Sequence, residues 1–257
     1  MNIAILHEHP NLADQAKFLS KQLSLALIPN TEEIAKYRIL LAITGDLSDY
    51  KLELRFPNEN INPVFVNFLD QKLQHRKNFG GGRHQAIAKA VGLKRGYTPN
   101  LLDGTAGFGK DAFILASLNC SVTMCERNPI IHALLADGLR RLNLSNTAIL
   151  SSQNLRHQST QDHLEESTSN YDVIYLDPMY PHRTKSALVK KEMRIVRQLV
   201  GDDTDFEIVM DLALKTARNR VVIKRPKSAS PIGSIPPSHS IESKKTRFDV
   251  YLTQNKT

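Results

Sequence analysis

The sequence predicts a doubly wound α/β domain preceded by a small α+β unit. Three observations carry that prediction. From Pro99 onward, strand-length apolar runs alternate with helix-length stretches, the pattern of a parallel sheet covered on both faces. The first run opens into a glycine-rich turn, Gly104-Thr105-Ala106-Gly107-Phe108-Gly109. A later, strongly apolar run ends in Asp177-Pro178, which places an acid at the carboxyl edge of the sheet, where open α/β proteins build their sites.

The elements follow in chain order. Residues 1–75 read as the small unit. Asn2–Leu6 is a short apolar strand, and Asn11–Ser24 is a helix because Leu12, Ala16, Leu19 and Leu23 fall on one face. Ile39–Ile43 and Lys51–Phe56 are strands joined through Thr44-Gly45-Asp46, with Leu52, Leu54 and Phe56 alternating. Pro63–Phe68 alternates too and is expected to be a strand. His7-Glu8-His9 is read as surface loop, not as a metal site.

Residues 76–257 read as the main domain. Phe79-Gly80-Gly81-Gly82-Arg83 leads into a helical stretch that ends at Val91, where Gly92 is a natural stop. Asn100–Asp103 is a strand, Lys110–Leu118 a helix, Ser121–Glu126 a strand and Pro129–Leu142 a helix. A weak strand is expected at Ala148–Leu150, then a polar loop, then the strand Tyr171–Asp177. Helices at Ala187–Leu199 and Thr204–Ala217, a strand at Arg220–Lys224, a Pro/Ser-rich loop over Pro226–Ser240 and a strand at Arg247–Thr253 complete the order.

Composition narrows the function classes. The 257 residues suffice for a full core, and 41% hydrophobic with 23% charged residues is ordinary for a globular protein. No apolar run approaches the roughly 20 residues that span a bilayer, so no membrane partner is expected. Met1–Pro10 lacks the basic leader and apolar stretch of a signal peptide. Cys120 and Cys125 are the only cysteines and no Cys/His spacing suggests zinc, so a cytoplasmic protein without a metal is expected. The net charge is +8. Gln71 to Leu102 holds seven Lys or Arg (Lys72, Arg76, Lys77, Arg83, Lys89, Lys94, Arg95) and no acid. Arg183 to Arg197 adds Lys185, Lys190, Lys191 and Arg194 against Glu192 alone, and Lys215 to Lys227 is basic as well. Any one stretch is an ordinary solvated face; three together point to a nucleic-acid surface.

The sharpest motif is Leu101-Leu102-Asp103 followed by Gly104, Gly107, Gly109, Lys110 and Asp111. Glycines let a ligand approach the backbone, and the helix that follows offers free N–H groups. Gly104 to Lys110 fits the GxxxxGK of a phosphate loop, but Asp111 stands where the magnesium-binding hydroxyl belongs. The glycine spacing also departs from GxGxxG, and a pyrophosphate would lie between Asp103 and Asp111. A cationic ligand without phosphate suits an acid-bearing loop, and S-adenosylmethionine, with a sulfonium and an ammonium, is such a ligand. Glu126, 23 residues beyond Asp103 at the end of the next strand, can accept both ribose hydroxyls of a nucleoside.

The run Leu176-Asp177-Pro178-Met179-Tyr180 resembles the Asp/Asn-Pro-Pro-Tyr signature of amino-group methyltransferases, with Met179 in place of the second proline. An exocyclic amine is a weak nucleophile because its lone pair is delocalised into the ring. Asp177 and the Pro178 carbonyl would accept its hydrogen bonds, and Tyr180 would stack on the base.

The segments DGTAGFGKDAFILAS, ERNPIIHALLADGL, YLDPMYPHRTKSALVKKEMRIV and FGGGR resemble the bacterial small-subunit ribosomal RNA guanine-N2 methyltransferase J family, from Phe79 to Tyr251. The resemblance implies a class I, Rossmann-like methyltransferase domain with a mostly parallel seven-stranded sheet. It implies S-adenosylmethionine as cofactor and one guanine of small-subunit ribosomal RNA, free or in the 30S particle, as substrate. Carried over position by position, cofactor contacts fall on Lys110, Asp111, Glu126, Arg127 and Asp177. A further contact pair after the third strand aligns with Gln153 and Asn154, or with Ser151 and Ser152. Arg83, Arg183, Lys185, Lys190, Lys191, Lys224 and Arg225 are expected to hold RNA phosphates. Two rival readings remain at this point, a phosphate-loop NTPase and a non-catalytic RNA-binding protein.

Overall fold

Successive side chains of a strand point to opposite faces, so a strand that is apolar throughout belongs between two covered layers. The computed structural model describes residues 2–28, 31–145, 149–150, 154–166, 170–179, 197–201, 205–229 and 235–253, and strand β8 (Val173–Leu176) shows the principle. Its Val173 and Tyr175 join one hydrophobic cluster, while Ile174 and Leu176 join another on the opposite face. Leu101 and Leu102 of β5 (Asn100–Asp103), and Val222 and Val221 of β9 (Arg220–Pro226), divide the same way.

With β6 (Ser121–Cys125), β7 (Leu155–Arg156), β10 (His239–Glu242) and β11 (Thr246–Leu252), these strands form a seven-stranded sheet in the order β10-β11-β9-β8-β5-β6-β7. Only β11 runs against the rest. One face carries α3 (Ala86–Ala90), α4 (Lys110–Ser117) and α5 (Pro129–Leu144); the other carries α6 (Thr160–Glu166) and α7 (Phe206–Thr216). Pro129 begins α5, and the Asn128 side chain caps it by accepting from the N–H groups of Ile130 and Ile131.

The N-terminal residues build a second sheet, β2-β1-β3-β4, from β1 (Ile3–His7), β2 (Ala26–Leu27), β3 (Ile39–Thr44) and β4 (Lys51–Arg55). Helix α1 (Ala13–Leu23) packs on β1 and ends at Ser24 in the left-handed conformation. Ile5, Leu41 and Leu54 share one cluster with Leu101, Phe113 and Leu135 of the main domain. Val66 lies so close to Gly138 that a Cβ there would sit 2.4 Å from its methyl, which accounts for a glycine in the middle of α5. The boundary expected after residue 75 falls inside α2 (Gln71–Phe79), a helix capped by Asp70.

Several expectations are corrected. Pro63–Phe68 makes a single bridge, between Val64 and Leu54; its alternation reports burial of Val64, Val66 and Phe68 and not a ladder. The strand expected at Ala148–Leu150 is displaced to Leu155–Arg156: Ala148 lies outside the described residues and 149–150 form a bend. The polar loop contains α6, whose start carries a reciprocal cap in which Ser159 accepts from the Asp162 N–H and donates to its carboxylate. β10, a short partly solvated strand beside β11, was not expected. Of the helix expected over Ala187–Leu199, residues 187–196 lie outside the described residues and 197–200 are helical.

Candidate active site

The chain runs outward from β5 to β6 and β7 and then returns to β8 on the other side of β5. Crossovers therefore leave β5 and β8 in opposite directions and open a crevice at their carboxyl ends. A pocket of about 830 Å3, counting the solvent at its open mouth, occupies that crevice.

The glycine turn forms its floor. Gly104 is there because a Cβ would meet Leu176 and Thr160 at 2.8 Å. The Thr160 hydroxyl donates to the Gly104 carbonyl, and the Asp177 N–H donates to the Thr105 hydroxyl at 2.6 Å. Gly107 adopts φ +52°, where a Cβ would meet nothing nearer than the Thr105 carbonyl at 3.9 Å, and its backbone lines the pocket. Its N–H donates to one oxygen of Glu126 at 3.0 Å, while the Asn128 N–H donates to the other at 2.7 Å. Two backbone donors thus fix the plane of a buried carboxylate in the pocket wall. Arg127 ion-pairs with Asp205 at 3.0 Å across the pocket. Burial pushes the Cys125 thiol up to about 12, so it is a neutral part of the wall.

Beside the pocket lies a charged cluster that period-two alternation assembles. Leu101 and Asp103, Val173, Tyr175 and Asp177, and Val222 and Lys224 all face the layer that holds α4. Lys224 Nζ donates to Asp177 at 2.7 Å and to Asp111 at 2.8 Å. Asp111 also accepts from Arg76 of α2 and from the Tyr175 hydroxyl, each at 2.8 Å. Burial opposes its charge, but Lys224 and Arg76 overcome that and hold its pKa down at about 2. Asp103 is pushed by burial to about 8, and the charges of Asp111 and Asp177 add to the shift, against the smaller opposing pull of the Thr105 N–H and Lys224. Burial also raises Asp177, against the pull of Lys224; its side chain keeps 41% of its surface exposed, toward the pocket it lines.

Of the residues singled out in the sequence, Gly104, Gly107, Glu126, Arg127, Asp177 and Pro178 line the pocket. Asp103, Gly109 and Asp111 stand behind its wall, where Gly109 starts α4 with φ +69°. Lys110 is exposed and Asn154 is half-buried next to β7. Ser151, Ser152, Gln153, Tyr180, Arg183, Lys185, Lys190 and Lys191 lie outside the described residues. Arg83 is exposed and donates to the Lys94 carbonyl at 2.8 Å.

Two expected phosphate contacts are corrected. Lys224 is committed to Asp111 and Asp177, and Arg225, on the opposite face of the same strand, is only 6% exposed. A run of basic residues along a strand is split by the pleat between two interiors. Thr105, Ser159, Thr160 and Asp205 were not singled out. Thr105 sat within the quoted glycine turn, and Ser159 and Thr160 open a Ser-x-x-Asp cap.

Among the described residues of the pocket wall, Glu126, Asp177 and Asp205 place three carboxylates against the guanidinium of Arg127. Such a wall repels phosphate and favours a cation, and its glycine backbone and fixed carboxylate suit a nucleoside. S-adenosylmethionine combines both features and fits these residues. Asp111 stands where a phosphate loop needs a hydroxyl and is fully engaged by cations, which removes the structural basis for an NTPase.

Comparisons with known proteins agree. The family model described as "Putative SAM-dependent methyltransferase" matches residues 27–253. The chain is 53% identical over 192 residues to "Ribosomal RNA small subunit methyltransferase J" of Shewanella loihica, covering 74% of each. It is 46% identical over 252 residues to the protein of that name in Aeromonas hydrophila, covering 96% of this chain and 97% of that one. A crystal structure of a SAM-dependent methyltransferase from Neisseria gonorrhoeae superposes with a TM-score of 0.74 at 30% identity, over 99% of this chain and 97% of that one. Among the described residues no helix is long and apolar enough to cross a membrane.

Proposed function

The chain belongs to the family of ribosomal RNA small subunit methyltransferase J, a family of S-adenosylmethionine-dependent methyltransferases, and from that membership we propose that it methylates the exocyclic N2 amine of one guanine in small-subunit ribosomal RNA, in the cytoplasm. The observation that carries the reading is Asp177: a carboxylate at the carboxyl end of β8, lining the pocket, with one oxygen held by Lys224.

Bound S-adenosylmethionine supplies a methyl group on a sulfonium, already activated for displacement. The chain's task is then positioning. Glu126 would accept the ribose hydroxyls, and the backbone of the glycine turn that lines the pocket at Gly104 and Gly107 would receive the rest of the cofactor. Lys224 holds Asp177 Oδ2, so Oδ1 is the oxygen that would accept the N–H of the guanine amine. That bond favours a tetrahedral nitrogen and gives the departing proton a place to go. Pro178 lines the pocket beside it, and Tyr180 follows in sequence as the stacking ring of the motif. Arg83 and the basic segment Arg183–Lys191 would hold the RNA backbone, so binding should weaken steeply with salt.

The test is transfer of labelled methyl to small ribosomal subunits, and to naked RNA, from cells lacking this protein, with the product nucleoside identified by mass spectrometry. N2-methylguanosine in either substrate supports the reading, and the better substrate of the two shows whether assembly matters. Methyl transfer only to another base, or to protein, would overturn it.

A further inference from the structure

The longest acid-free stretch of the chain, Gln71 to Leu102, also carries one of its most exposed large apolar side chains. Phe79, at the end of α2, has 75% of its surface in solvent. Its ring sits 5.2 Å from that of His75, one turn earlier on the same helix face. Along the same acid-free stretch, Lys72, Arg83, His84, Lys89, Lys94 and Arg95 are all exposed. An isolated exposed phenylalanine is unremarkable, but a phenylalanine and a histidine together amid lysines and arginines make an aromatic surface inside a positive field.

The patch is also tied to the catalytic cluster. Arg76, between His75 and Phe79, reaches Asp111, which shares Lys224 with Asp177. Phe79 follows Arg76 by three residues, about 4.5 Å along the helix axis. Gly80 then turns the chain so tightly that a Cβ would lie 2.2 Å from the Arg76 carbonyl, and Gly81 and Gly82 continue with φ of +93° and +51°. These three glycines bring no side chain against its ring.

We propose that Phe79 and His75 form a stacking platform for an unpaired base of the RNA strand next to the target guanine. The proposal rests on the RNA-methyltransferase reading and deepens it, by making the substrate single-stranded where it meets α2. A duplex hides its base faces, whereas an unpaired strand presents them to aromatic rings and its phosphates to the surrounding cations.

Stacking and phosphate contacts separate by their salt dependence. Binding of a fluorescent single-stranded oligoribonucleotide of mixed sequence, and of the same strand in a duplex, would be followed by anisotropy over a salt series. KM and kcat for small ribosomal subunits would be measured in parallel. Phe79→Ala should weaken single-strand binding about ten-fold or more with the salt slope unchanged, raise KM more than it lowers kcat, and leave duplex binding unaltered. Phe79→Trp should restore wild-type values, and Arg83→Ala should instead lower the slope by about one phosphate contact. Unchanged single-strand affinity in Phe79→Ala, or equal losses for strand and duplex, overturns the platform. So does a Phe79→Ala variant whose only change is loss of a dimer in sedimentation, which would assign the patch to a second copy of the chain. If the wild type transfers no methyl to RNA while Phe79 still governs single-strand binding, the methyltransferase reading fails and the platform stands.

Discussion

Asp137 lies within α5 and meets Arg140 and Arg141 of its own helix, at 2.8 and 2.9 Å, while accepting the Leu52 N–H of β4 at 3.1 Å. Asp111 lies in the first turn of α4 and meets Arg76 of α2 and Lys224 of β9, at 2.8 Å each. Both carboxylates are shielded, and both are held by two cations. Asp137 holds the N-terminal region to the main domain, directly through Leu52 and through Arg140 and Arg141, which donate to the carbonyls of Tyr50 and Val66. Asp111 shares one of its cations with a third group, Asp177, which faces the pocket. A closed cluster fixes two parts of a fold together. A cluster with one member on a pocket wall passes its rigidity to a reacting group.

The comparison breaks most visibly at the member facing the pocket. Asp177→Ala should lower methyl transfer by about a thousand-fold, the scale of losing a preorganised transition-state contact, with an unchanged circular dichroism spectrum. Wild-type rates from that variant would remove Asp177 from the mechanism.

Asp137→Asn should do the reverse. It leaves two guanidiniums without their carboxylate and costs about 3 kcal/mol of stability, read as a lower urea midpoint. Transfer rates should stay near wild type at temperatures where the variant remains folded.

Lys224→Met should cut kcat roughly ten- to a hundred-fold and move the acid limb of the pH–rate profile to higher pH. The sign follows from the surroundings of Asp177. Burial and Asp111 raise its pKa, while Lys224 and Arg197 lower it. Removing Lys224 raises it further, so the active carboxylate forms only at higher pH. Lys224→Arg keeps the charge and should keep the limb in place. An equal loss at every pH would reduce Lys224 to a structural role.

At Asp103 the expected effect is on the pH dependence of stability and not on transfer. Its pKa lies near 8 in the fold against an ordinary 3.8, so the folded state prefers the protonated acid. Stability contributed by this group is greatest below pH about 4 and declines as the pH rises toward 8. Asp103→Asn should flatten the thermal-melting midpoint over that window; an unaltered decline would assign it to other groups.

Much of this was legible in the sequence. Fully apolar strands between helices announce a sheet buried on both sides, and a glycine turn between β5 and α4 announces a ligand at its edge. The role of Lys224 was hidden because its charge was counted along the chain with Lys215, Arg225 and Lys227. A strand sorts neighbours by parity, and Lys224 goes with Val222 and Asp111 while Arg225 goes to the other face. The two edge strands were missed or misplaced because β7 spans two residues and β10 is largely solvated; neither leaves a hydrophobic period to read. Pocket residues such as Asp205 and Thr160 come from helix starts far apart in sequence, and only the sheet topology brings them together.

Thr105 belongs to the turn that would receive the cofactor, and its hydroxyl accepts the N–H of Asp177, the residue that would receive the base. The two halves of the reaction therefore share a hinge. Whichever substrate arrives first settles the backbone on which the other must land, so the two should bind with synergy and in a preferred order of addition.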